Sequence, residues 1–307
     1  MTFRFDIAII GGGIAGLTAV QHARLSGLSV AHIAGTEAIG GLVCNIGKLQ
    51  GYPAGAEAIS GIDLAVGLMS ANSTDNVEEV LSDAVALTGE MGSFRLSLDG
   101  GELIAEQVIA ATGASLRMLD IPGARRLMGR GVSQCTWCDG PLFKDKRAVV
   151  VGGGDAAFEE ALHLAEFAEQ VTLLVRHEYP KARQSYIDRT SQHESIDVRL
   201  HCDVVEILGS EEVSAVRFAD RTMGVVEELA CNGLFVFVGL EPNSQLFAEL
   251  ATLHSSGAVV TNLEMETRTP GLFAIGAVRH GYGGRLVNAV GEAAIAAMAA
   301  ALRAKRV

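Results

Sequence analysis

The chain has 307 residues, enough for about two domains that each bury a core. Apolar residues make up 49% and charged residues 20%, as in a globular chain, and the formal net charge is −12. An acidic surface argues against nucleic acid as a partner, because phosphate contacts need clustered Lys and Arg. Residues 1–6 lack a basic-then-apolar leader with a small-residue cleavage site, and no apolar run reaches a spanning length, so cytoplasm is the expected location. The Ala-rich end, residues 293–304, is expected to be a packed helix too short to span, with Arg303, Lys305 and Arg306 suited to its C-terminal dipole.

Residues 6–10 form a continuous apolar run with β-branched residues, as in a strand buried on both faces. Gly11, Gly13 and Gly16 follow, with Ile14 and Ala15 between the last two, and an Ala-rich helix runs to about Ser26. Residues 29–34 read as the next strand. This is a βαβ unit with G-x-G-x-x-G at its first turn. The first glycine makes the tight turn, the second lets backbone approach a pyrophosphate, and the third lets helix and strand pack closely. Glu37, just past the second strand, is placed to bond a ribose hydroxyl or to stand as a solvated loop carboxylate. Gly40 and Gly41, followed by Asn45, would let a flat cofactor lie against backbone. Residues 51–53 read as a turn and 61–69 as a helix. Short strands at 84–88, 94–98 and 102–104 suggest an antiparallel meander beside the main sheet. Residues 107–111 form another buried strand, ending in Thr112 and Gly113. Pro122, Gly123, Gly129 and clustered arginines then mark a connection, with a domain boundary near Ala114.

Cys135-Thr136-Trp137-Cys138-Asp139-Gly140 comes next. Two cysteines at C-x-x-C spacing can cycle between dithiol and disulfide. Zinc is the rival reading, but a closed site needs four ligands and this pair supplies two, so no metal is expected. Trp137 is the one Trp of the chain. Residues 147–151 then form a second buried strand, which runs into Gly152, Gly154, Asp155, Ala156 and Ala157, a helix over 158–168 and a strand over 170–175. This is a second nucleotide-binding βαβ unit, and the duplication implies two dinucleotides. Arg176, His177, Lys181 and Arg183 follow it, where bases favour the 2′-phosphate of NADPH; the rival is a solvated basic loop. Short strands at 197–200, 204–208, 213–218 and 224–229 lead to a buried strand over 233–239. A second boundary falls at 240–243. A last strand ends at Gly276 and Ala277, a glycine-rich loop runs to Gly284, and the final helix begins at Leu286.

At this point the chain resembles the low-molecular-weight thioredoxin reductases, a branch of the two-dinucleotide flavoprotein disulfide reductases. Gly11 to Gly16 is similar to that family's FAD fingerprint, and Ala111-Thr112-Gly113-Ala114-Ser115 to its crossover. The C-x-x-C-D-G is similar to its redox motif, and Gly152 to Ala157 with Glu159-Glu160-Ala161 to its NADPH fingerprint. Val238 to Asn243 and Gly271 to Gly276 are similar to its later signatures. The resemblance implies an α/β fold of two Rossmann-like domains, the NADPH domain inserted in the FAD domain. The implied parts are 1–114 and 244–307 for FAD and 115–243 for NAD(P)H and the C-x-x-C. It implies a homodimer, and electrons passing from NADPH to FAD, to Cys135 and Cys138, and on to a thioredoxin-like protein or small disulfide. By position Cys138 would face the flavin, Cys135 would attack the partner, and Asp139 would manage their protons; alone, Asp139 also fits a turn residue before Gly140.

The chain departs from the family pattern at the flavin. Ala277 stands where the family has Asp, Gly284-Arg285-Leu286 where it has R-Q-A, and Gly40-Gly41-Leu42-Val43 where it has G-G-Q-L. In the NADPH loop, Arg176-His177 replaces paired arginines. These departures keep two further readings open: a dithiol oxidase that forms a disulfide in a small metabolite, and a reductase fed by a donor such as ferredoxin. A flavin-binding redox sensor with little turnover is a third. Cys44, Cys202 and Cys231 read as structural.

Overall fold

The computed structural model describes residues 3–36, 39–49, 51–52 and 59–304. The chain divides into two compact units, Met1–Ser115 with Glu241–Val307, and Leu116–Leu240.

The first unit begins with β1 (Phe3–Ile10), α1 (Ile14–Leu25), β2 (Val30–Ile33), α2 (Gly61–Asn72), β3 (Val77–Val80), β4 (Ala84–Thr88), β5 (Phe94–Leu98) and β6 (Gly101–Ala110). The chain leaves through β7 (Ala114–Leu116). In the second unit come β8 (Val132–Ser133), α3 (Thr136–Asp139), β9 (Arg147–Val151), α4 (Asp155–Leu164), β10 (Gln170–Leu174), α5 (Gln184–Ser191), β11 (Ile196–Arg199), β12 (Cys202–Leu208), β13 (Ala215–Asp220), β14 (Val225–Ala230) and β15 (Gly233–Val236). It returns through β16 (Leu240–Pro242) to β17 (Leu272–Ala274) and α6 (Leu286–Ala304).

In the first unit the sheet order is β3-β2-β1-β6-β5-β4, with β17 also on β6. β1 lies parallel to both β2 and β6, with Ile7 opposite Val30 and Gln107. Its apolar run is explained by burial on two faces. Ile7 and Ile9 join α1 and α6 in one core, whereas Ala8 and Ile10 join Phe94, Leu96 and Phe247 in another. The expected strands at 102–104 and 107–111 are one ten-residue strand. Leu103 and Ala105 are buried while Glu106, which interrupts the run, is half-exposed; Gln107 is buried and donates its amide to the Ala300 oxygen at 3.0 Å. The meander therefore belongs to the main sheet, with β5 antiparallel on β6. β3, with sequence VEEV, carries almost no hydrophobic signal and is fixed by pairing Val77 with Val30.

In the second unit a parallel sheet has the order β11-β10-β9-β15-β8, beside an antiparallel sheet β12-β13-β14. α5 escapes the hydrophobic pattern because its sequence QSYIDRTS buries only Tyr186 and Thr190.

One expectation is corrected. α6 has 19 residues and is long and apolar enough to cross a membrane by length and composition. Its Ala stripe (Ala289, Ala293, Ala296, Ala297, Ala300 and Ala301) is buried, in one core with Ala15, Ala19 and Ala23 of α1. Small side chains let this face of α6 pack closely on α1.

Candidate active site

In the first unit the fingerprint closes on itself. Gly11 has φ +125°, and a Cβ there would stand 2.2 Å from the Ala111 carbonyl oxygen. A Cβ at Gly16 would stand 1.9 Å from the Gly11 oxygen. Gly13 is different: it is the N-cap of α1, and the nearest atom to its added Cβ would be the Gly40 oxygen at 3.9 Å. α1 opens with no side-chain cap, which leaves its first N–H groups available to a pyrophosphate. Gly40 donates its N–H to the Gly12 oxygen at 2.8 Å and bridges Gly13, which brings Gly40 and Gly41 to the same helix end. Ile14 and Ala15 are buried in α1's first turn, and Asn45 ends a short 3-10 helix that begins at Gly41.

Thr112 and Gly113 are held by a residue absent from the expected site, Asn243. The Thr112 hydroxyl donates to the Asn243 oxygen at 2.6 Å, and the Asn243 amide donates back to the Thr112 oxygen at 3.0 Å. Gly276, with φ +70°, comes near Ala15 and donates its N–H to the buried Glu292 at 2.8 Å. Glu292 pairs in turn with Arg279 at 2.5 Å. A carboxylate from α6 thus secures the strand end where Ala277 stands. The Tyr282 hydroxyl donates to the Arg285 oxygen at 2.9 Å. Glu37 lies outside the described residues.

The residues fit a dinucleotide: uncapped N–H groups at a helix start, an open cradle at Gly13, and glycines where a side chain would fill it. The second unit repeats this at α4. Gly154 is its N-cap, without a side-chain cap, and a Cβ there would meet nothing within 4 Å. A Cβ at Gly152 would stand 2.2 Å from the Phe237 carbonyl oxygen and 2.8 Å from the Ala157 methyl, so the turn has no room for a side chain there. Ala156 is exposed in the first turn. Asp155 holds a loop: it accepts the Arg183 N–H at 2.7 Å and pairs with its guanidinium at 3.0 Å. His177 and Lys181 are exposed. Arg176 pairs with Asp203 at 3.9 Å, and Asp203 also binds Arg221. Arg221 joins this basic edge from β13's end, 45 residues down the chain from Arg176, so spacing could not reveal it.

Between the cradles in sequence stands the redox turn. Cys135 and Cys138 are disulfide-bonded, with Cα atoms 5.3 Å apart. Cys135 is the N-cap of α3, and the Cys138 N–H donates to its sulfur at 3.1 Å. Cys135 is half-buried and Cys138 exposed. The Ser133 hydroxyl donates to the Asp139 carboxylate at 2.6 Å and accepts the Cys135 N–H at 3.1 Å. Ser133 therefore fixes the acid and the first cysteine together.

α3 also rests on α4. Thr136 is fully buried, and its hydroxyl donates to Glu160. Trp137 stacks on His163, ring centroids 3.7 Å apart and planes 14° apart. Burial pushes the Glu160 carboxyl up to about 7, against the pull of the Thr136 hydrogen bond and with help from Glu159. A raised carboxyl makes folding stability largest when it is protonated and lost as pH rises through about 7. Glu160→Gln is therefore expected to leave stability unchanged at about pH 4, where the carboxyl is protonated in both states, and to raise it by about 3 kcal/mol at about pH 8, read by thermal unfolding at both. Burial pushes up the thiols of Cys44 and Cys202, and that of Cys231 to about 12, so none is an activated nucleophile.

Two nucleotide cradles and a disulfide turn on one chain define a nucleotide-dependent disulfide oxidoreductase. Residues 5–294 match the family described as Pyridine nucleotide-disulphide oxidoreductase. The thioredoxin reductase of Treponema pallidum is 36% identical over 97% of this chain and 96% of its own length. That of Bacillus subtilis is 33% identical over 95% and 92%. The crystal structure of Lactococcus lactis thioredoxin reductase superposes with a TM-score of 0.94 at 30% identity, covering 99% of this chain and all of that one. The chain belongs to the thioredoxin reductase family, flavoprotein enzymes that use FAD and NADPH.

Proposed function

We propose that this enzyme reduces the disulfide of a thioredoxin-like protein or a small disulfide, with Cys135 and Cys138 as the redox pair. The observation that carries the reading is the disulfide turn seated on α4, the helix opened by the second glycine fingerprint, with an acid fixed beside it. FAD and NADPH, when bound, supply the two electrons that open the disulfide. The residues assigned to FAD are Gly11, Gly13, Ile14, Ala15, Gly16, Glu37, Gly40, Gly41, Asn45, Thr112, Gly113, Gly276, Ala277 and Arg285. Those assigned to NADPH are Gly152, Gly154, Asp155, Ala156, Ala157, Arg176, His177 and Lys181.

In the dithiol form, the Cys135 thiolate attacks one sulfur of the partner's disulfide and the other sulfur leaves as a thiolate that takes a proton. Cys138 then attacks Cys135 in the mixed disulfide, restoring the internal bond and releasing the partner as a dithiol. Asp139, oriented by Ser133, takes and returns the protons that each thiol must lose and each leaving thiolate must gain. The uncapped starts of α1 and α4 receive the pyrophosphates through backbone N–H groups. A homodimer in the cytoplasm completes the reading; the outward apolar side chains Ile295, Met298 and Leu302 of α6 support a covered face.

Anaerobic NADPH should bleach the flavin, and added thioredoxin should then reduce insulin. A flavin that ignores NADPH would overturn the reading. Bleaching by a small dithiol with disulfide as product would support a dithiol oxidase instead, and bleaching by reduced ferredoxin a different donor. Arg176→Ala and Arg221→Ala are each expected to raise KM for NADPH about tenfold and leave KM for NADH unchanged, since each removes a charge-assisted phosphate contact. Equal effects on both nucleotides would place the 2′-phosphate elsewhere.

A further inference from the structure

The redox turn is gripped by two residues of α4 one turn apart. Glu160 takes the Thr136 hydroxyl, and His163 carries the Trp137 ring. Positions i and i+3 lie on one helix face, so both contacts come from the same side of α4. Gly140, which closes the turn, packs at the end of α4, where an added Cβ would stand 3.8 Å from Leu164 and 3.4 Å from the ring of Phe167 just beyond the helix. Of the three contacts, only the one at Glu160 is made by a carboxylate to a side chain lying between the two cysteines.

We propose that Glu160 is a positioning residue for the redox pair: through the Thr136 hydroxyl it holds the turn of Cys135 and Cys138 on α4, and its protonation loosens that hold. The inference rests on the reading of Cys135 and Cys138 as the redox pair. Thr136 is fully buried, so its hydroxyl depends on this acceptor. A carboxylate accepts a hydroxyl proton strongly, while a neutral carboxyl is a weaker acceptor and must place its own proton. Ionisation of Glu160 therefore tightens the turn and protonation relaxes it, and its carboxyl is poised at about 7.

The neighbouring groups do not cancel this charge. Glu159 adds repulsion, and is itself balanced by Arg183 and Arg189 and hydrogen-bonded to Tyr186 of α5. α3 brings Asp139, which is engaged by Ser133, and the two bonded cysteines. His163, near the end of α4, forms its own contact with Glu166 just beyond the helix at 3.6 Å. β9 and β10, which also pack on α4, carry no ionisable side chain except Arg147, at the exposed start of β9.

Trp137 is the chain's one Trp and directly follows Thr136, so its emission reports the turn. The holoenzyme, titrated with no nicotinamide or partner present, should show an emission change with a midpoint near 7. Glu160→Gln, which keeps an acceptor but cannot titrate, should lose the change. Thr136→Val should lose it, and Thr136→Ser should restore it. The kcat for partner reduction should follow the same midpoint in the native enzyme and lose it in Glu160→Gln. A transition that survives Glu160→Gln would assign the titration to His163 and overturn the proposal; so would a flat profile in the native enzyme. Because the emission titration uses no NADPH, failure of the electron path leaves the titration intact and shows in flavin bleaching, whereas failure of this inference shows in the titration with bleaching intact.

Discussion

A Cys138→Ser chain is expected to retain both nucleotides and to lose at least about 1,000-fold of its rate toward a partner disulfide. Serine fills nearly the same space, so the α3 turn and its Thr136 contact persist. What disappears is the second sulfur, and with it both the internal disulfide and the step that resolves a mixed disulfide. The assigned order of attack makes the two single variants differ. With Cys138 replaced, Cys135 still attacks, and the partner should accumulate as a covalent adduct that runs as one band without reductant. With Cys135 replaced, no adduct of comparable yield should form. Serine at the buried Cys202 or Cys231 leaves the redox chemistry intact, because those thiols are held protonated by burial. Equal trapping by both single variants would show that the sulfurs share the nucleophilic role. Full turnover by either would place the redox pair elsewhere.

What could be read before the fold was known depended on how local its cause was. A strand, a glycine turn and a helix in succession need only adjacent residues, so both cradles were legible at Gly11 to Gly16 and Gly152 to Ala157. Their glycines are demanded by contacts within the same βαβ unit or its neighbouring strand. The disulfide was legible for the same reason, as two cysteines on one turn. Residues joined across the chain were not. Asn243 meets Thr112 across 131 residues, and Glu292 meets Gly276 across 16. Glu160 lay inside a quoted motif, yet its role comes from Thr136, 24 residues earlier. Charge complementarity hid Asp203 in the same way, since it sits on β12 and couples two arginines from different elements. The missed α5 and β3 share another cause: their positions are set by docking and edge pairing, while their sequences are mostly polar.

The cradle at α1 allows folding and flavin binding to be separated by a single methyl group. Gly13→Ala has room for its methyl: the backbone is at φ −77°, open to any residue, and the nearest atom is 3.9 Å away. Stability should change by less than about 0.5 kcal/mol. The methyl then occupies the space before α1's N-terminus that a pyrophosphate must enter, so flavin affinity should fall at least about tenfold, or about 1.4 kcal/mol. Gly16→Ala behaves otherwise. Its methyl would stand 1.9 Å from the Gly11 oxygen, so α1 must move off the sheet, and stability should fall by about 3 kcal/mol along with flavin. Gly67→Ala in exposed α2 is the control: nothing lies within 4 Å, and the helix should gain about 0.5–1 kcal/mol with flavin untouched. Flavin-to-protein absorbance after purification and thermal unfolding of the flavin-stripped chains read the two quantities apart. A Gly13→Ala enzyme that purifies with full flavin would show that the pyrophosphate does not sit at this helix end. Flavin loss that scales with instability across all three variants would show that the glycines serve packing alone.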